Sequence, residues 1–360
     1  MGLPSIDIVF KSKAIKAIEQ GAVGTLAVVL KDASVTTGIK EYRMIDVTDI
    51  PETLSATNQG YLNQAFMGVP KTLKAIVIPT ADVNYTAALD YLETIQFNVG
   101  VIPGIAEGDT TTVAGWVKAM RSNMDRKILF VLPNNVADSE GVINLATDDI
   151  VVGVNTYTAS QYSARIAGLI AGLSLRVAPT YQVFPEIDDV PHLTRAEADT
   201  AIDAGKFILY HDGEKVKVGR GVTSLTTTTE DIGADWKKIK LVRIYDKVYT
   251  DVYNTIEDEY IGKVQNSYEN KLLLIAAIQA YYEVLELEGI LDPGKNVCRI
   301  DVAAQKVYLR SIGYEMPDGR GVDDMNIQEI KEANTKDKVF LESYIKGLDA
   351  IEDFKMVVHI

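Results

Sequence analysis

The chain has 360 residues, 47% hydrophobic and 24% charged, which excludes intrinsic disorder and leaves room for about two domains. Fifty acidic residues against 36 basic ones give a formal charge of -14, so the bulk surface repels nucleic acid and anionic lipid. The apolar runs are too short for direct membrane insertion. The single cysteine, Cys298, excludes an internal disulfide framework and a thiolate zinc cluster.

In chain order, the first signal is a period-two alternation. Ile6, Ile8 and Phe10 interleave with Asp7, Val9 and Lys11, which predicts a strand. Residues 1–7 lack a charged-then-apolar layout, so the expectation is maturation in a reducing cytoplasm. Residues 11–24 read as a flexible connection. Short strands apolar on both faces follow at 75–78, 97–102, 128–132 and 150–154, as in a parallel sheet covered by helices. Between them, Ala88, Leu89, Leu92 and Ile95 form one helical stripe, and Val113, Trp116, Val117, Met120 and Met124 another. This strand–helix rhythm predicts an α/β three-layer domain over residues 25–190.

Thr158 and Gln161 have the spacing of a capping box. The helix they open carries Gly168 and Gly172 four apart, which predicts close packing of a buried helix on the sheet. Thr194 and Glu197 form a second capping box, and Gly205 ends that helix. Asp212-Gly213 between apolar runs predicts a hairpin. A long helix carries Trp236, Ile239, Val242, Val248, Val252, Ile256 and Tyr260 on one spacing, and a second runs over 267–287. Strands at 297–300 and 338–345 enclose a further helical stretch. Residues 191–350 therefore read as an α+β C-terminal domain.

The chain closes on a second alternation, Phe354, Met356, Val358 and Ile360. Both alternating ends are either edge strands of their own subunit or arms that add to a neighbour's sheet. The division is thus a 1–24 arm and linker, two domains, and a 351–360 strand arm. Lys237, Lys238, Lys240, Arg243 and Lys247 crowd one helix, and Lys306 and Arg310 lie four apart on a later one. These are either a solvated face or an electrostatic contact with a partner.

Several stretches, in order, carry a family resemblance. They are Gln64-Ala65-Phe66-Met67-Gly68-Val69-Pro70 with the strand at 74–78; Tyr162-Ser163-Ala164-Arg165 running on to Gly172; Gly219-Arg220-Gly221-Val222-Thr223 with Trp236-Lys237-Lys238-Ile239 and Val242-Arg243-Ile244-Tyr245-Asp246; and Tyr260-Ile261-Gly262-Lys263 leading to Asn266. From about residue 60 onward the chain resembles the sheath protein of contractile phage tails, in the short form of defective prophages and R-type bacteriocins. The resemblance implies a non-catalytic domain of subtilisin-like topology, without additional outer domains. It implies N- and C-terminal strand-exchange arms that join two strands of a neighbour's C-terminal domain. It also implies a helical homopolymer of stacked rings around a tail tube protein, contracting to drive the tube through an envelope. Baseplate and tail terminator proteins would be its other partners, and the host cytoplasm its place of assembly. Ile6, Ile8, Phe10, Phe354, Met356, Val358 and Ile360 would lie on the arms.

Competing chemistry finds no support in the motifs. The turn after Ile78 has no glycine, the turn after Ile102 carries Glu107 and Asp109, and no G-x-x-x-x-G-K-[ST] occurs. Ser174 is not in a G-x-S-x-G elbow. His192, His211 and His359 lie far apart in sequence, and Asp148-Asp149, Asp188-Asp189 and Asp323-Asp324 read as solvated or capping acids. No catalytic residue, metal site or cofactor is expected. The alternatives are an α/β enzyme of unknown chemistry and a non-contractile virion adaptor.

Overall fold

The computed structural model describes residues 17–21, 23–230 and 232–359. They divide into two compact units, one of residues 21–250 with 347–359 and one of residues 17–20 with 251–346. Residues 191–250, expected with the C-terminal half, thus group with the first unit. Ile6, Ile8, Phe10 and Ile360 lie outside the described residues.

The first unit is built on a seven-stranded sheet in the order β2-β3-β1-β4-β5-β6-β9. In chain order its elements are β1 (Thr25–Lys31), β2 (Lys40–Met44), α1 (Ala56–Phe66), β3 (Thr72–Ile78), α2 (Thr86–Leu92), β4 (Val99–Val101), α3 (Glu107–Asn123), β5 (Leu129–Pro133) and β6 (Val142–Leu145). A hairpin of β7 (Ile150–Val152) and β8 (Asn155–Tyr157) precedes α4 (Ala159–Gly172), α5 (Arg195–Asp203) and β9 (Lys206–Phe207). β2 runs antiparallel to β3; the other pairings are parallel. Along β1 the pleat sends Leu26, Val28 and Leu30 into a core shared with α1 and α4, and Ala27 and Val29 into one shared with α2 and α3. Helices therefore cover both faces.

Two strand expectations change. β1 is the sheet's third strand in spatial order, and no short apolar run had been assigned there, although Thr-Leu-Ala-Val-Val-Leu-Lys is apolar on both faces. The run at 150–154 is not in the main sheet. It turns at Gly153, whose φ is 59°, and pairs back as β7–β8. β6 takes the expected place beside β5, although it is interrupted by Asn144. The Asn144 Oδ1 accepts from the Asn135 N–H at 2.9 Å, while its buried Nδ2 has no hydrogen-bond partner among the described residues.

Both capping boxes form as expected, on α4 and α5. The glycines of α4 face a different partner from the sheet. A Cβ on Gly172 would stand 1.8 Å from the Gly68 carbonyl oxygen, and one on Gly168 2.0 Å from that of Ala65. The spacing thus serves helix–helix approach to the end of α1. Beyond β9, β10 (Leu209–His211) and β11 (Val216–Val218) form the predicted hairpin. Trp236 lies in a short 3-10 turn before α6 (Ile239–Glu259) rather than within that helix.

The second unit takes residues 251–259 of α6, then α7 (Tyr268–Leu287), β12 (Val297–Ile300), α8 (Val302–Ser311), α9 (Ile327–Glu332) and β13 (Leu341–Tyr344). Ser267 caps α7 through the Asn270 N–H. Among the described residues β12 and β13 pair antiparallel as a two-stranded sheet, Val297 opposite Tyr344 and Ile300 opposite Leu341. α7 packs on β12 through a face that buries Ala277, Ile278, Tyr281 and Leu285.

Candidate functional site

The carboxyl ends of the parallel strands are where α/β sheets bind ligands. Here that rim is occupied by structural hydrogen bonds. Asp32, after β1, accepts from Ser34 N–H at 2.9 Å, Ser55 N–H at 2.8 Å and Asn58 Nδ2 at 2.7 Å. Asn135 Nδ2 donates to Thr110 Oγ1 at 3.0 Å. These contacts stitch the loops together and hold no activated nucleophile.

The histidines and acid pairs also resolve into structure. His192 and His211, distant in sequence, stack with ring centroids 5.1 Å apart. His192 Nε2 lies 2.9 Å from Asp189 Oδ1, and His211 Nδ1 accepts from the Gly213 N–H at 3.0 Å. His359 is exposed. Asp148 accepts from Ala159 N–H at the start of α4, Asp188 from Gly153 N–H, and Asp323 pairs with Lys306 at 3.6 Å and with Arg310. Among the described residues, no group of three or more His, Cys, Asp or Glu side chains could hold a metal ion. No described helix is long and apolar enough to cross a membrane. Cys298 is buried, and burial pushes its thiol up to about 11.

The basic set on α6 is not a single exposed face. Arg243 is buried; its guanidinium donates to the Leu173 carbonyl at 2.6 Å, where α4 ends. The helix terminus offers a partial negative charge there, yet burial still pulls the group down to about 10. Lys240 is buried as well, which lowers its pKa. Lys247 is buried and reaches the Gly21 carbonyl at 3.3 Å. These three point into the subunit. Lys237 and Lys238 are half-buried before the helix begins, Lys306 is half-buried and Arg310 is exposed. The sequence spacing placed all of them on helices but said nothing of which carbonyls the fold would bring to meet them.

An ion pair without any local signal anchors α6. Arg121 on α3 grips Asp246 with two hydrogen bonds, of 2.7 and 2.8 Å, and Glu140 with a third of 2.8 Å. Burial opposes its charge, but Asp246 and Glu140 outweigh that and hold its pKa above the ordinary arginine value.

The C-terminal segment is the most distinctive surface. Phe354, Met356 and Val358 are 80%, 68% and 67% exposed, and the described part of the segment belongs to no strand. Its root is held. Arg220 Nε lies 3.3 Å from Glu352 and its Nη2 2.6 Å from Asp353, while Lys238 reaches Asp349 and stands 3.8 Å from Glu352. Asp353, foremost among the causes, raises the Arg220 pKa. In the sequence Gly219-Arg220-Gly221 enters only among the stretches that carry the resemblance, with no partner for Arg220. The available signal was the acidic group Asp349, Glu352 and Asp353 just before an apolar end.

Two domain-family models match this chain. The phage tail sheath protein central domain covers residues 80–224, and the phage tail sheath C-terminal domain covers residues 231–360. A tail sheath protein of Clostridium phage phiCD119 is 34% identical over 364 aligned residues, spanning 99% of both chains. The crystal structure of a sheath tail protein from Desulfitobacterium hafniense superposes with a TM-score of 0.69 at 19% identity, covering 82% of this chain and 94% of that one. A chain of the anti-feeding prophage baseplate gives 0.67 at 16% identity, over 100% of this chain and 99% of its own.

Proposed function

Because this chain belongs to the phage tail sheath family and is a structural subunit of a tail sheath, we propose that it polymerises as stacked rings around a tail tube and contracts to drive the tube through a target envelope. The polymer would end on baseplate and terminator proteins and assemble in the host cytoplasm. The subtilisin-like course of the first unit belongs to the same reading, and helices on both faces of a mainly parallel sheet support it. So does the functional division into a 1–24 arm, a 25–190 sheath domain, a 191–350 assembly domain and a 351–360 arm.

One observation carries the reading: among the described residues, the exposed apolar segment from Phe354 belongs to no strand, and the β12–β13 sheet has two strands. Each strand of that sheet has one side that pairs with no other described strand; on β12 the Cys298 N–H there donates to Gln279 Oε1 at 3.2 Å, and an added strand would pair along what is left. Phe354, Met356, Val358 and Ile360 would supply one strand, and Ile6, Ile8 and Phe10 the other. Lys237, Lys238, Lys306 and Arg310 remain candidates for contact with the tube or a neighbour. Each backbone hydrogen bond nets about 1 kcal/mol and each buried apolar side chain about 1.5–3 kcal/mol. The contact would recur at every subunit and tether neighbours while their bodies rearrange. Deleting residues 354–360 should leave a folded subunit that forms no sheath by electron microscopy. Normal sheaths from the truncated chain would overturn the reading.

A further inference from the structure

The fold fixes the turn Gly219-Arg220-Gly221 on two sides. Its backbone runs beside the entry to α6: Thr223 N–H donates to the Lys237 carbonyl at 2.8 Å, and Ile239 N–H to the Gly221 carbonyl at 3.0 Å. Val222 and Lys238 form an antiparallel bridge. Arg220 and Lys238 are thereby brought to one surface. A Cβ on Gly221 would stand 2.9 Å from Pro179 Cδ, so glycine lets the turn lie against Pro179-Thr180. The Thr180 hydroxyl accepts from Gly221 N–H at 3.0 Å and donates to Glu352 Oε1 at 2.5 Å.

Two cations on one surface repel, and the Glu352 carboxylate lies within ion-pair distance of both. Its side chain is only 8% exposed, so salt screens it less than an ordinary surface charge. Asp349 and Asp353 extend the contact to either side. Single exposed ion pairs contribute little; here three carboxylates within one short stretch meet both cations. Past Asp353 the chain changes character, and its apolar side chains stand exposed.

We propose that Arg220 and Lys238 form an electrostatic clamp on the root of the C-terminal arm, held at Asp349, Glu352 and Asp353, which sets where and in what direction residues 354–360 leave the subunit. Arg220 and Lys238 are then positioning residues for strand donation, and the inference rests on the arm acting between subunits. A fixed exit keeps the arm's effective concentration at a neighbour's sheet edge high; a loose one dilutes it.

The test uses the full-length chain and two readouts. The first is the subunit concentration needed for sheath formation, by sedimentation and electron microscopy. The second is the rate of tryptic cleavage after Lys355 in the unassembled subunit. Glu352→Gln combined with Asp353→Asn, which alters only the arm root, should raise the required concentration about tenfold, equivalent to about 1.4 kcal/mol, and speed cleavage. Lys238→Glu should do the same, and adding Asp349→Lys should restore both. Wild-type values in the root variant overturn the clamp; if the 354–360 deletion still abolishes sheaths, the arm reading survives that failure. Weaker assembly with unchanged cleavage also overturns it, because the residues then act at a contact surface. Normal assembly of the deletion removes the arm reading itself, and the clamp with it.

Discussion

β3 (Thr72–Ile78) and residues 354–359 are both short and largely apolar, yet they end in opposite environments. β3 lies between β1 and β2 with five of its side chains buried. Phe354, Met356, Val357 and Val358 are 67 to 80% exposed. In β3 both hydrogen-bonding edges and both faces are satisfied inside the subunit. At the C-terminus neither need is met among the described residues, and the apolar side chains stand exposed; contiguous exposed apolar surface is where interaction sites occur in proteins. Apolar sequence therefore has two outcomes here: it closes a core in β3, and it stands exposed at Phe354, Met356, Val357 and Val358.

The sharpest break between the two regions should come from the first unit's interior. Arg121→Ala leaves Asp246 buried without its partner and should cost about 3–5 kcal/mol, measured by urea unfolding. A loss below about 1 kcal/mol would mean the ion pair is incidental to the core. Gly172→Ala should follow, at about 1–3 kcal/mol, because the new methyl meets the backbone of Gly68. Gly115→Ala on α3 is its control. That position is open, with nothing within 4 Å of an added Cβ, and the change should be neutral or stabilising by up to about 1 kcal/mol.

Acid should act on the rim of the sheet through Asp32. Burial pushes the Asp32 carboxyl up, but N–H groups from Ser55, Ser34 and Asn58 outweigh it and hold it well below the usual carboxylate range. Its contribution is thus fully present above the unfolded value near 4 and is lost as pH falls below that. Asp32→Asn should cost about 1–2 kcal/mol at pH 7, and the gap to wild type should close toward pH 2. A gap independent of pH would assign the effect to packing. The smallest stability change belongs to the arm. Phe354→Asp with Val358→Asp should shift unfolding by less than about 0.5 kcal/mol while removing sheaths. Ile76→Asp in β3 should instead unfold the subunit. Equal destabilisation by the two variants would erase the contrast between the regions.

What was legible in the sequence is what a few neighbouring residues decide. The boxes Thr158–Gln161 and Thr194–Glu197 each satisfy first-turn N–H groups within three residues, and both formed. Asp212-Gly213 made its hairpin, and the runs around 297–300 and 338–345 supplied β12 and β13. Local backbone hydrogen bonding needs no knowledge of the rest of the chain. Tertiary structure decided the remainder. It chose β6 over the 150–154 run beside β5, because the latter could turn at Gly153 and pair with itself. It turned Lys240, Arg243 and Lys247 inward, Arg243 to the carbonyl at the end of α4. It also brought Arg121 to Asp246, and Arg220 and Lys238 to Glu352. A charge pattern fixes where cations lie along a helix, but these partners come from segments 70 or more residues away. Which segments meet is decided by how apolar surfaces pack on both faces of the sheet, a global outcome that no local spacing encodes.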